Sequence, residues 1–206
     1  MKWSLSYLFY SLFCLLMGFC AHSQKKTELA LDKEGIKIYL TKFDTTAFRE
    51  YKAVMTVHAN IDTIVKQLID VKSLQKWNFK NRHSELVKKV SDTSWIFYIV
   101  HHLGWPIQER DNVSRVTLIN KGNERIITIT PDNRLLKEKE GRVRLTNFKG
   151  FWYLKRIDAK QTLVIQQVYG DPGGMIPAFM VNMVVTKGPF DSFKALRRHV
   201  ENLNKK

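Results

Sequence analysis

Beyond residue 24 this chain has no cysteine at all; its two, Cys14 and Cys20, both lie inside an apolar leader. A chain without that leader can form neither a disulfide nor a thiolate metal site, so its fold must rest on a hydrophobic core alone. Acidic residues are also scarce, 19 Asp and Glu against 34 Lys and Arg, giving a formal charge of +15. Such an excess attracts polyanions without specifying anionic lipid headgroups, acidic polymers or nucleic acid. The basic residues are dispersed in small groups (Lys25-Lys26, Lys88-Lys89, Arg197-Arg198, Lys205-Lys206), which suits a solubilising surface as well as a binding patch. After the leader there is no internal repeat, low-complexity tract or Pro/Gly/Ser linker. Together these absences exclude a disulfide scaffold, a repeat array and a tethered multidomain chain.

What is present begins with the leader. Lys2 supplies a positive start, Leu5 to Phe19 carries no charge, and Ala21-His22-Ser23 places small residues before Gln24. This is the layout of a secretory signal peptide over residues 1–23. The apolar run is shorter than the roughly 20 residues a membrane-spanning helix needs, although a retained N-terminal anchor is the alternative. A lipid-modified Cys20 fits less well, because Phe19 is large for the position before it. The expectation is an exported, periplasmic or secreted, monomeric protein with one domain over 24–206, and export argues against nucleic acid as a partner. About 183 residues after the leader suffice for one sizeable domain and are too few for two.

Alternation of apolar and polar residues dominates the middle of the chain and reads as β-structure. Ser84–Ser91 and Ser94–His101 form a pair on Ser91-Asp92-Thr93, and Val113–Asn120 pairs with Arg125–Thr130 across Lys121-Gly122-Asn123. Arg142–Arg156 and Thr162–Tyr169 form another pair around Asp158-Ala159-Lys160. Asn60 is suited to cap a helix carrying Ile61, Ile64, Val65, Leu68 and Ile69. Pro177 is suited to the first turn of a second helix, whose apolar residues recur from Phe179 to Leu203, with Gly188-Pro189 expected to kink or restart it. The architecture is α+β, a long curved antiparallel sheet closing over one long C-terminal helix.

No catalytic constellation stands out. His101-His102 point to opposite faces of a strand and have no carboxylate or cysteine at ligand spacing, so no metal or other cofactor is expected. Ser114 and Ser192 lack a nucleophile's surroundings.

Several segments resemble the START lipid-transfer domain, in that family's order, over most of residues 28–203. Leu31-Asp32-Lys33-Glu34-Gly35-Ile36-Lys37-Ile38-Tyr39 looks like its opening strand, and Asp70 followed by Trp77-Asn78 matches its helix-to-loop pattern. Trp105-Pro106 with Arg110-Asp111, then Gly141–Arg144 with Gly150-Phe151-Trp152, are similar to later pieces. Most specific is Asp171-Pro172-Gly173-Gly174-Met175-Ile176-Pro177-Ala178-Phe179-Met180-Val181-Asn182, leading into the last helix. The resemblance implies a helix-grip fold whose sheet and C-terminal helix enclose a hydrophobic cavity for one lipid, sterol or similar molecule, with binding or transfer as the activity.

The resemblance also orders the candidate residues. Trp105, Pro106, Met175 and Ile176 would flank the cavity entrance and touch an anionic membrane surface; the plainer reading of Trp105 is that it packs a turn. Arg110 and Asp111 are neighbours on a strand, so only one can face the cavity. Arg110 would bind a headgroup oxyanion or hydroxyl, or else make a structural ion pair, and Arg142 or Arg144 is a candidate partner for Asp111 or for a ligand. Phe179, Met183, Asn182 and Tyr169 would line the cavity, with Asn182 alternatively bonding loop backbone and Met183 alternatively core. The competing reading is an enzyme of the wider helix-grip superfamily, such as a cyclase, for which Asp111 and Tyr169 are the available acid–base groups.

Overall fold

A computed structural model of the chain describes residues 25–105 and 107–203. The leader with its expected cleavage site, and Pro106, lie outside the described residues. Three strands open the described chain: β1 (Lys26–Lys33), β2 (Ile36–Phe43) and β3 (Thr46–Val57). Two short helices follow, α1 (Ile61–Ile69) and α2 (Leu74–Trp77), then β4 (Asn81–Ser91), β5 (Ser94–His101), β6 (Glu109–Lys121) and β7 (Glu124–Pro131). The chain ends with β8 (Arg142–Arg144), β9 (Phe148–Arg156), β10 (Thr162–Gly170) and the 26-residue α3 (Ala178–Leu203).

The strands form one sheet in the order β1-β2-β3-β10-β9-β7-β6-β5-β4, antiparallel throughout except that β8 adds in parallel to the start of β6. On β2 and β3 the apolar residues at alternate positions, Ile36, Ile38, Leu40 and Ala53, Met55, Val57, are buried on the inner face. α1 presents Ile61, Ile64, Val65 and Leu68 to that face, and α3 presents Phe193, Leu196 and Val200. Aromatic rings join the layers: Trp152 of β9 stacks on Phe193 at 5.6 Å and meets Trp77 edge-on at 5.8 Å. Toward the β4 edge the sheet is buried on both faces, because the 132–145 segment covers the back of β5 and β6, where Ile96, Tyr98, Val100 and Val113 cluster with Leu136.

Three local expectations change. Leu31–Tyr39 is a hairpin and not one strand: Glu34 and Gly35 both take positive φ (53° and 69°), the pair a two-residue turn needs when its twist matches the strands. Arg142–Arg156 is broken at 145–147, where the backbone N–H of Leu145 donates to the Asp111 carbonyl and the chain leaves β6 for the other side of the sheet. α3 runs through Gly188-Pro189 without restarting. Packing holds this stretch: Phe79 lies against Gly188, where a Cβ would stand 3.2 Å from the ring, and its N–H donates to Ser192 Oγ at 2.9 Å.

Candidate functional site

Between the inner face of the sheet, α1 and α2 lies an apolar cavity of about 250 Å3. Its floor is Leu68, Leu74 and Trp77, and its wall includes Ile127 and Ile129 of β7 and Trp152 of β9. Gly150 keeps that wall thin, since a Cβ there would stand 2.9 Å from Val168 Cγ2. One polar row crosses it: His101 of β5, then Asn112 and Ser114 of β6. Asn112 Nδ2 donates to Ser114 Oγ at 2.6 Å. Burial holds the His101 imidazole below its ordinary range, against the opposing effect of hydrogen bonds with the Phe79 backbone and the Asn112 side chain. Opposite, Tyr51 donates to Gln166 Oε1 at 3.0 Å, and burial raises its phenol well above the usual value.

Strand register decides which charged residue faces this cavity. His101 pairs with Arg110, Ile99 with Asn112 and Phe97 with Ser114, so Arg110 shares the face of β6 that turns toward the cavity, although it is not itself one of the lining residues. Asp111 pairs with Val100 and points to the back of the sheet. There it accepts two hydrogen bonds from Arg144, at 2.6 and 3.2 Å, and one from Tyr98 Oη at 2.9 Å. Arg144 is itself buried and also donates to the carbonyls of Leu136 and Lys137, which ties the covering segment to β6. The Asp111 hydrogen bond raises the Arg144 pKa despite burial. Arg142 links Tyr98 Oη to Glu109 beside this pair. Asp111 and Arg144 are therefore an ion pair away from the cavity: of the two partners open to Arg144 the structure gives it Asp111, and neither residue lines the cavity as a ligand contact would require.

Arg110 is 4% exposed. Its Nη1 donates to the Gln108 carbonyl, its Nε is buried without a partner, and burial lowers its pKa. Among the described residues it has no carboxylate partner.

The remaining candidates divide. Trp105 and Met175 are fully exposed and Ile176 is half-buried, on the two loops expected at the entrance. Gly173 and Gly174 adopt positive φ (62° and 66°), and Asp171 Oδ1 accepts the Gly173 N–H at 2.9 Å, which shapes that tip. Tyr169 sits apart from the main cavity, in a surface hollow with Phe43, Thr46 and Asn147. Phe179 and Met183 do not line the cavity; they are 66% and 71% exposed. The buried stripe of α3 runs back from Phe193 through Pro189 and Val185 to Asn182, and residues 179 and 183 lie one step round from it. Asn182 donates to the Ala47 carbonyl at the start of β3, at 3.5 Å, rather than to a loop, and does not line the cavity. The residues that do supply its polarity, His101, Asn112, Ser114, Tyr51 and Gln166, were not candidates. Their signal is polar residues on an apolar strand face, legible only once the register of β5 against β6 is known.

No group of His, Cys, Asp and Glu among the described residues is placed to hold a metal ion, and no described helix is long and apolar enough to cross a membrane. A curved antiparallel sheet with one long C-terminal helix and an apolar cavity defines a helix-grip protein. The chain matches the START domain over residues 25–206, and it belongs to that family. A solved STAR-related lipid transfer protein from Xanthomonas axonopodis is 32% identical with a TM-score of 0.79, covering 85% of this chain and 98% of that one. An uncharacterized protein of Pseudomonas aeruginosa is 29% identical over 175 residues, 84% of this chain and 86% of its own. Phosphatidylcholine transfer protein of Rattus norvegicus is 24% identical over 199 residues, 91% of this chain and 92% of its own.

Proposed function

We propose that this protein binds one lipid or similar amphiphile in the cavity between the sheet, α1 and α2, and carries it between membranes, outside the cytoplasm. The observation that carries the reading is the cavity itself: apolar on the sheet and helix sides, crossed by one row of polar side chains that would orient a head against a tail. The names of the Xanthomonas and rat relatives support lipid transfer as the activity. Export rests on the composition of residues 1–23. Contact with an anionic membrane rests on the exposed Trp105 and Met175 at the two loop tips and on the basic balance of the chain. The reading is of a carrier and not an enzyme. The cyclase alternative depended on Asp111 and Tyr169, and neither lines the cavity.

The test is native mass spectrometry of the mature protein purified without detergent from its own host, followed by lipid extraction. One lipid per chain is expected, together with an N-terminus at Gln24. A protein that arrives empty and then takes up nothing from vesicles of phosphatidylcholine and cholesterol refutes the reading.

A further inference from the structure

Most polar side chains in the cavity wall are matched with one another. His101 bonds the Phe79 backbone and Asn112, Asn112 donates to Ser114, and Tyr51 donates to Gln166. Trp77 is the exception. It is 5% exposed and lines the cavity, and its Nε1 is buried with no hydrogen-bond partner among the described residues. An indole N–H is a donor only, and a buried one ordinarily finds an acceptor, because nothing else replaces the water it gives up. Packing keeps the ring from turning to find one. Trp77 meets Trp152 edge-on at 5.8 Å, and Trp152 is itself stacked on Phe193. The acceptor therefore has to come from whatever fills the cavity, a ligand or a water.

The wall also limits the charge of that acceptor. No Asp, Glu, Lys or Arg is among the described residues that line the cavity, and burial favours the neutral form of His101. An ionised head placed there would lose its water without a counter-charge in the wall, whereas an uncharged oxygen asks for a single donor. The volume, about 250 Å3, lies a little below the roughly 300–1,000 Å3 of pockets that enclose drug-sized molecules, which suits one short chain. We infer that the ligand carries an uncharged oxygen acceptor, a carbonyl or a hydroxyl, and that Trp77 Nε1 donates to it from the cavity floor. This rests on the carrier reading above and narrows its ligand. A hydrocarbon of the same length fills the same space and leaves the indole N–H unbonded, so Trp77 separates lipids by head and not by tail.

The experiment uses the full mature chain, delipidated, isotope-labelled at its tryptophan indoles and followed by NMR. Dodecane, dodecanol, methyl laurate and laurate, each delivered from cyclodextrin, share one chain length and differ at the head. The Trp77 indole proton is expected to move downfield with methyl laurate, dodecanol or both, and to stay in place with dodecane. Which of the two moves it tells a carbonyl ligand from a hydroxyl one. Trp77→Phe should weaken binding of that lipid about five- to tenfold more than it weakens dodecane, the size of one neutral hydrogen bond, since the packing lost is common to both. If Trp77→Phe does not fold, the resonance is assigned by replacing the other tryptophans in turn, and the wild-type titration decides. A Trp77 proton that keeps its position while dodecanol and methyl laurate bind overturns the inference and leaves the carrier reading intact, because a trapped water is then the partner. An equal effect of Trp77→Phe on all four ligands does the same. Laurate moving the proton further than either neutral lipid also overturns it, since the head is then an anion. Uptake of none of the four overturns the inference, while the carrier reading falls only if extraction from the host also finds nothing.

Discussion

Arg110 and Asp111 are adjacent and oppositely charged, yet they do not pair, because a strand sends successive side chains to opposite faces. Asp111 belongs to the back of the sheet, where Arg144 and Tyr98 satisfy it. Asp111→Ala leaves Arg144 buried without its partner, a change that costs about 3–5 kcal/mol in comparable pairs. We expect a loss of that size in urea unfolding, together with release of the segment around Leu136 that Arg144 anchors. Replacing both members, Asp111→Leu with Arg144→Met, should restore most of the stability, since no uncompensated charge remains. Two half-buried histidines give a second residue-scale expectation. Burial lowers the pKa of His101, and of His199, where Lys76 adds to the effect, below the ordinary 6.5. The folded state thus favours their neutral forms, and their contribution is complete above 6.5 and lost as pH falls through the lowered values. The thermal midpoint should drop between about pH 7 and pH 5, with a smaller drop in His199→Gln; an identical pH profile in that variant would remove His199 from the account.

At the scale of elements, α1 shows how a local signal and its tertiary use coincide. Asn60 Oδ1 accepts the Asp62 N–H at 2.8 Å, and the helix it starts buries Ile61, Ile64, Val65 and Leu68, the last of them in the cavity floor. Asn60→Ala should cost about 1 kcal/mol, read as a lowered urea midpoint with an unchanged slope. This cap, the hairpins at Ser91–Thr93 and Lys121–Asn123, and the start of α3 after Pro177 were legible because each depends on side chains within a few residues. The hairpin at Glu34-Gly35 was hidden by a family pattern spanning it, although glycine after a polar residue between alternating strands is a turn signal in its own right. The break at 145–147 was not legible: β8 is defined by its pairing with β6, where Arg144 lies beside Asp111, 33 residues earlier. The continuity of α3 depends likewise on Phe79 and Ser192, which the sequence keeps 113 residues apart. The cavity's polar row was missed for the same reason. The residues joining β5 to β6 do not state their register, and only register places His101, Asn112 and Ser114 on one face. α3 misled in the opposite direction, since its apolar residues extend beyond the stripe that packs and leave Phe179 and Met183 exposed.

For the whole molecule, the question is how a chain with a buried site meets a membrane. Two features act over different distances. The charge of +15 draws the protein toward anionic headgroups over a Debye length, about 10 Å at 0.1 M salt and about 3 Å at 1 M. The exposed Trp105 and Met175 act only on contact, by burying apolar surface at the interface. Because both loop tips are exposed in the folded protein, removing them should cost no packing. Trp105→Ala should therefore weaken association with anionic vesicles by about tenfold, the effect of roughly 1–2 kcal/mol of lost interfacial burial. Its unfolding temperature should match wild type. Met175→Ser should add to the loss. Raising salt from about 0.1 M to 1 M should weaken wild type and variants by a similar factor, because screening removes the long-range attraction and leaves the contact intact. Vesicle co-sedimentation of each protein at both salt concentrations checks this directly. If the Trp105→Ala/Met175→Ser protein binds as wild type does at both salt concentrations, the loop tips are not the point of contact, and the membrane is met by some other part of the basic surface.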